Sequence, residues 1–443
     1  MKDIYSSAVE KNRGLIIDAF DYIWKNPETG FREVKTSAYM ENAFEKLGYE
    51  LHRAENIPGF YTILDTGRPG PEILIFGELD ALICHSHPDA DPETGVVHNC
   101  GHNAQCAALL GIAAALREDG VLDNMCGKIR LCAVPAEELI EREYRKELVK
   151  NGTITYMGGK TEFLHRGYFD GADLAFMVHI TADSFASLTK GSVGFISQKI
   201  TYKGVSAHAG GSPWNGTNAL YAATLGLNAV NSIRETFKEA DIIRVHPIIT
   251  KGGNAVNAIP DTVVIESSVR GASFEAIADA GKRVNRAFIG AALSLGANIE
   301  TETTPGYAPL LTAGGMDEIA KLGAEGLGFD FINDPDFCTA SSDMGDLSCI
   351  MPVMEPSIPG ASGNLHSPNF RYSDKELACV SSAKWQLQML ALLLENNAER
   401  ANKIIKNYKA PFSSKEEYFE FIKKLDCRCE CITYKESGAE VIL

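Results

Sequence analysis

Three short apolar runs, each ending in residues that can bind metal, constrain this chain most. Ile73–Phe76 leads into Gly77-Glu78-Leu79-Asp80, Lys128–Val134 into Pro135-Ala136-Glu137-Glu138, and Leu174–Val178 into His179. Continuous apolar runs of this length read as strands buried on both faces, as in a parallel sheet. Open α/β sheets build their sites at the carboxyl ends of such strands. The three runs therefore predict a sheet that delivers Glu, Asp and His side chains to one edge.

Between the first two runs lies His98-Asn99-Cys100-Gly101-His102-Asn103. A glycine separates a thiol from an imidazole and lets the backbone bend so that both side chains reach one point. Thiolate and neutral imidazole are good ligands for zinc and similar divalent ions. An alanine- and leucine-rich helix is expected over 103–117, with Asn103 as its cap. His366, in the loop Leu365-His366-Ser367-Pro368, adds another imidazole. Adjacent acids such as Glu137 and Glu138 most simply sit on a solvated face, but these follow an apolar strand. With Glu138 on a metal, Glu137 is left to take a proton from a water whose pKa the metal lowers toward ~7. Asp80 is expected to orient a ligand imidazole. Taken singly, His179 also reads as a core histidine, Cys100 as a buried thiol or a nucleophile, and Asp80 as a strand-end acid.

The rest of the pattern divides the chain. Residues 6–47 read as helical, with a break near Asn26–Gly30. From about 193 the order changes to a strand over 195–202, a loop with His208, a helix over 216–237, strands over 242–250 and 262–269, and a helix over 273–293. This is a compact α+β block inserted into an α/β domain. The expected division is a catalytic domain over 1–192 and 306–398, an inserted domain over 193–305, and an extension over 399–443 of no assigned role. The resumed part carries the Ser341–Asp346 loop, His366 and a helix over 374–395. In the extension, Cys427-Arg428-Cys429-Glu430-Cys431 puts three thiols on one face of a strand, read as structural rather than as a metal or redox site.

Composition narrows the function. The chain has 443 residues, 45% of them hydrophobic, enough for two domains. A net charge of −16 disfavours nucleic acid and anionic membrane surfaces as partners. No apolar run approaches the ~18 residues of a membrane span, and the first residues do not resemble a signal peptide. Eleven cysteines without a disulfide-like framework point to reduced thiols and a cytoplasmic location.

The order Gly77-Glu78-Leu79-Asp80-Ala81-Leu82, His98–Asn103, Pro135–Glu138, His179 and His366-Ser367-Pro368 resembles the two-metal amidohydrolases of the aminoacylase and glutamate carboxypeptidase family. The Cys-Gly-His-Asn form resembles the branch of aminobenzoyl-glutamate hydrolase and aminoacyl-amino-acid dipeptidases. The resemblance extends to about residue 395 and implies a metallopeptidase-type α/β domain. Its central sheet would be mixed and mostly parallel, lying between helices, with a ferredoxin-like lid and dimerisation domain inserted. It implies two divalent metals, with Cys100 bridging, His102 and His179 completing one, Glu138 and His366 the other, and Glu137 as general base. It further implies that His208, in Ser206-Ala207-His208-Ala209, crosses a homodimer to polarise the scissile carbonyl, and that Asn257 binds the same substrate. Arg270 would hold the substrate's free carboxylate, a task suited to a planar bidentate donor; its other reading is a surface lid charge.

The implied substrate is a small N-acyl amino acid or dipeptide, and the metal zinc or manganese, with cobalt possible. One departure stands out. Relatives usually place a glycine-rich stretch directly after the two glutamates, whereas here Gly158-Gly159-Lys160 follows an insertion over 139–157 with the charged run Glu141–Glu147. That run reads most simply as a solvated helix, and otherwise as a wall of the substrate pocket. Two other functions compete. A cysteine hydrolase with Cys100 as nucleophile leaves Glu138, His179 and His366 without a purpose, and a non-catalytic ligand-binding relative has no need of an intact base.

Overall fold

In the computed structural model, which describes residues 2–443, the chain divides into two compact units. The first runs to Gly191 and resumes over Leu311–Asp336 and Asp346–Lys415; the second comprises Ser192–Leu310, Phe337–Gly345 and Glu416–Leu443.

The first unit is built on a six-stranded sheet. Its Glu72–Glu78 strand is buried along its whole length. It runs parallel to Lys128–Val134 on one side and to Leu174–Phe176 on the other. Val353–Met354 extends the parallel part, and Phe60–Asp65 and His52–Arg53 add an antiparallel edge. Against the sheet lies the helix His102–Ala115, every residue of which is buried. Its sequence shows no polar stripe because no face of it meets water. Burying a side chain such as Leu109, Leu110 or Ile112 contributes roughly 1.5–3 kcal/mol each. The expected cap at Asn103 is not formed. Gly101, at φ 92°, takes the bend, and the helix begins one residue earlier. Asn103 lies inside the first turn, where its Oδ1 accepts from the Tyr372 hydroxyl at 2.6 Å.

The helix expected over 374–395 is present: helical backbone begins at Glu376 and is interrupted at Glu395–Ala398, where Asn396, Asn397 and Ala398 take positive φ before a second helical stretch runs to Asn407. By length and composition alone Glu376–Asn407 would be long and apolar enough to cross a membrane, but that interruption divides it. Its most apolar window is 78% buried within the protein, as suits a core helix.

The second unit is an antiparallel sheet with two helices, Ala219–Ile233 and Phe274–Ser294. Strand order is Arg244–Lys251, Thr262–Gly271, Gly194–Lys203, Asn298–Pro305, the arrangement of a ferredoxin-like fold. Alternate residues of Thr262–Gly271 point into a core around Tyr202 and Phe288. The helices start where side chains cap them: Asn218 accepts from the Leu220 and Tyr221 amides, and Ser273 from the Ala276 amide.

The 399–443 stretch is divided between the units. The residues to Lys415 belong to the first, while Cys427–Glu430 becomes a fifth strand of the second unit's sheet, pairing antiparallel with Asn298–Pro305. Such a pairing joins residues more than a hundred positions apart, so local periodicity carries no sign of it. Of the three thiols, Cys427 is exposed and Cys431 buried, and all eleven cysteines are free.

Candidate metal centre

Glu78 and Asp80, and Glu137 and Glu138, lie at or just beyond the carboxyl ends of two parallel strands of the sheet. His179 opens a separate short strand, His179–Thr181, that pairs with Ser357–Pro359; His102 starts a helix, and Cys100 and His366 stand in turns. Gly101 makes the Cys-Gly-His bend possible twice over. Its φ of 92° disfavours a side chain, and a Cβ there would overlap Ile180. Ala136, at φ 58°, turns the chain just before Glu137 and Glu138, and His366, at φ 61°, turns the fourth segment. Left-handed backbone at a residue other than glycine costs on the order of 1–3 kcal/mol and persists where the surroundings fix it. Here the His366 amide donates to the Asn99 carbonyl at 2.9 Å, pinning that loop beside Cys100.

Cys100 lies between two histidines. Its Sγ is 3.1 Å from His366 Nε2 and 3.5 Å from His179 Nε2. His366 Nε2 is also 3.0 Å from Glu138 Oε1. Candidate ligand atoms of Cys100, His102 and His179 cluster within 4.8 Å of one another, and so do those of Cys100, Glu138 and His366. Cys100 thus belongs to both groups. A third group joins Glu78, His102 and Glu137.

The imidazoles are oriented from behind. His102 Nδ1 faces the Asp80 carbonyl at 2.9 Å and its carboxylate at 3.1 Å, and His179 Nδ1 faces the Ile180 carbonyl at 2.8 Å. In both rings this leaves Nε2 toward the cluster, the arrangement usual for metal-binding histidine. Asp80 does more than orient a ring, because its second oxygen accepts from the Glu138 amide at 2.8 Å. It therefore ties the two groups together. Burial opposes its charge, but the His102 and Glu138 hydrogen bonds outweigh burial and hold its pKa at about 2.

The donor set fits divalent cations. Bonds of about 2.0–2.3 Å place two ligands of one ion roughly 3–3.7 Å apart, the spacing of the Cys100, His179, His366 and Glu138 contacts. His102 Nε2 and Glu78 Oε2 are buried 3.1 Å apart, an ion pair while the ring is protonated and two ligand atoms once it is not. Burial pushes the Cys100 thiol well above its usual range, and the Glu138 and Glu137 charges push it further. A thiolate there calls for a compensating cation. Burial lowers the His102 pKa, but Glu78 and Asp80 together raise it to about 10. His98, which opens the motif, is buried and neutral, held down to about 3 chiefly by desolvation.

Glu78 escaped the sequence reading, which assigned only Asp80 in that segment. It is fully buried, and one carboxylate oxygen forms an ion pair with Lys160, itself fully buried. The signal was available. Glu78 ends the buried strand two residues before Asp80, and a carboxylate at the end of so apolar a run needs a partner.

Comparison with known proteins places this geometry. Residues 190–292 match the peptidase dimerisation domain of the M20 family. A solved Bacillus subtilis protein, YxeP, described as a dinuclear metal-binding peptidase of that family, superposes with a TM-score of 0.67. It is 20% identical, and the match covers 89% of this chain and 99% of that one. The fold is that of the M20 metallopeptidases. In sequence, the chain is 30% identical to a subunit of the Escherichia coli p-aminobenzoyl-glutamate hydrolase, over 69% of this chain and 60% of that one. It is also 30% identical to a mouse Xaa-Arg dipeptidase, over 62% and 60%. The chain therefore spans about 60% of the length of these two relatives.

The remaining candidate residues of the M20 fold lie in its second unit. His208 and Asn257 are exposed, on segments joined by a bridge between His208 and Ala258 and by the Ala209 amide donating to the Asn257 carbonyl at 2.9 Å. His208 Nδ1 accepts from the Gly210 and Gly211 amides at 3.2 and 2.8 Å, so the neutral ring carries its proton on Nε2. Arg270 is half-buried, packs over Phe195 and donates to Ser341 Oγ at 2.9 Å. It is not a plain surface charge.

Proposed function

We propose that this chain is a metal-dependent amidohydrolase that cleaves the amide bond of an N-acyl or aminoacyl amino acid bearing a free carboxylate. The observation that carries the reading is the cluster itself, in which Cys100 is shared between His102 with His179 and Glu138 with His366 while Glu137 stands beside it. The names of the relatives support the substrate class, since aminobenzoyl-glutamate and Xaa-Arg both join an acyl or aminoacyl group to an amino acid.

Cys100, His102, Glu138, His179 and His366 would hold two divalent ions, zinc or manganese by their mixed S, N and O ligands. Such ions supply Lewis acidity, acidifying water and polarising the carbonyl. The chain does the rest. Glu137, 8% exposed at the edge of the cluster, takes the proton of the attacking water and passes it to the leaving nitrogen. Asp80 keeps His102 in the right tautomer. His208 offers Nε2–H to the developing oxyanion, Asn257 hydrogen-bonds the same group, and Arg270 receives the substrate carboxylate.

We assign the active form as a homodimer formed through the second unit, with His208 serving the neighbouring subunit. The outer strand Arg244–Lys251 has a free edge, Ile248 on it is 52% exposed, and Tyr221 and Leu225 stand exposed one turn apart on Ala219–Ile233. Eleven free cysteines fit the cytoplasmic location expected from the sequence.

The deciding experiment assays zinc-, manganese- and cobalt-loaded protein against a panel of dipeptides and N-acyl amino acids, with and without chelator. Hydrolysis that chelation abolishes and metal restores is expected. Turnover that survives chelation but not thiol alkylation would favour Cys100 as nucleophile, and binding without turnover a non-catalytic relative.

A further inference from the structure

The insertion over 139–157 is not a plain solvated helix. Its charged run forms the helix Arg142–Lys150, and Arg145 on that helix is completely buried. The guanidinium turns inward and donates to three backbone carbonyls: Met157 at 2.5 Å, Ala136 at 3.4 Å, and Glu138. Ala136 and Glu138 flank Glu137. From the other direction Glu33, also completely buried, accepts from the Ala136 amide at 2.8 Å. The left-handed Ala136 peptide is thus gripped at both its N–H and its C=O. The bonds from the charged guanidinium are roughly twice as strong as neutral ones.

The surroundings are built around this contact. Phe31, Ala136 and Ile154 form a small apolar cluster with Tyr144 and Leu148 of the inserted helix. Glu162 closes the end of the insertion by accepting from the Thr155 and Tyr156 amides at 2.8 and 2.7 Å. Gly30 leaves the space the guanidinium fills; a Cβ there would overlap it and come within 2.9 Å of Ala136.

We propose that the 139–157 insertion is a positioning device, in which Arg145 and Glu33 clamp the Ala136–Glu138 backbone and so aim the Glu137 and Glu138 carboxylates. Arg145 is a positioning residue, acting through the backbone it holds. The role of Glu137 as base rests on the amidohydrolase reading; the clamp itself does not.

The test uses three variants of the full chain. Arg145→Met keeps the stem and removes the donors, Arg145→Lys keeps the charge and fewer donors, and Gly30→Ala crowds the guanidinium and Ala136 together, so that it reports on the packing of the clamp as a whole. In Arg145→Met, amide exchange over 136–140 followed by mass spectrometry should quicken at least about tenfold, while exchange in His102–Ala115 stays at the wild-type rate. On the best substrate of the panel, kcat should fall about 10²-fold, as for a misplaced reacting group, with KM within about threefold. Arg145→Lys should recover part of kcat. Unchanged exchange over 136–140, or faster exchange with unchanged kcat, overturns the proposal. So does a loss spread evenly over exchange, kcat and KM, which marks general destabilisation. Should Arg145→Met not fold, Arg145→Lys is judged by the same readouts, with smaller shifts in the same directions. If the wild-type chain hydrolyses nothing, the amidohydrolase reading fails, and the local exchange alone decides the clamp.

Discussion

In the first unit, Glu78, Asp80 and His102 are at most 1% exposed, and each is held by a second group: Lys160, the Glu138 amide, the Asp80 carboxylate. In the second, His208 and Asn257 stand exposed, and the hydrogen bonds to the His208 ring come from glycines two and three residues away. One set is organised within the fold before any ligand arrives, which suits metal binding and proton transfer, where small displacements are costly. The other has a fixed tautomer and an open face, which suits a group that acts only when a second surface meets it. The two units would then fail differently when altered.

The largest effect is expected at the base. Glu137→Gln removes the proton acceptor and keeps the shape, so turnover should fall ~10²–10⁴-fold while metal content, measured by elemental analysis, stays at the wild-type level. Retained activity would move the base to another residue, with Glu78 the first to examine.

His208→Ala should rank next, since loss of one oxyanion donor typically lowers kcat ~10²–10³-fold. Metal content should not change. Mixing the two inactive variants separates the units more sharply. If His208 serves a neighbouring subunit, a mixed dimer contains one complete site and activity returns. If exchange of subunits is demonstrated and activity stays absent, His208 acts within its own chain or is structural.

Metal uptake should depend on pH through the buried ligands. His102, raised to about 10, and Cys100, raised by burial and the neighbouring glutamates, both hold protons at neutral pH that a cation must displace. Affinity should therefore rise with pH, up to about tenfold per unit for each proton released. Calorimetry in buffers of different ionisation enthalpy counts those protons. Uptake independent of pH would mean that ligands other than these two dominate.

The same contrast governs what could be read in the sequence. The strands and their terminal ligands were legible because each is a contiguous apolar run followed at once by Glu, Asp or His, so local pattern and site coincide. The order of the Gly194–Pro305 block was legible for the same reason. Arg145 was not, because charge patterning describes a helix's average exposure and not the one side chain that turns inward. Nor was the pairing of Cys427–Glu430 with Thr303–Glu300, or the place of Phe337–Gly345 in the second unit, since both depend on contacts between distant segments. Asn103 misled because it looks like a cap, while Gly101 did the bending.

The smallest effect concerns the free edge of the second unit's sheet. One edge is covered by Cys427–Glu430, whereas Arg244–Lys251 has a partner on one side only. Edge strands that must stay unpaired usually carry charge or proline where they face water. This strand carries both kinds of residue, Pro247 with exposed Arg244 and Lys251, and Ile248 and Ile249 at 52% and 39% exposure, so the apolar pair is what a covering neighbour would meet. Ile248→Lys should leave the fold intact, because the residue faces outward, but should place a charge in the proposed interface. The dimer dissociation constant, followed by analytical ultracentrifugation, should rise about tenfold, as for a desolvation cost near 1.4 kcal/mol. Metal content per chain should not change, and specific activity should fall on dilution, when monomers lose the neighbour's His208. A variant that dimerises as tightly as the wild type would show that the interface lies elsewhere, with the Tyr221 and Leu225 face the next to alter.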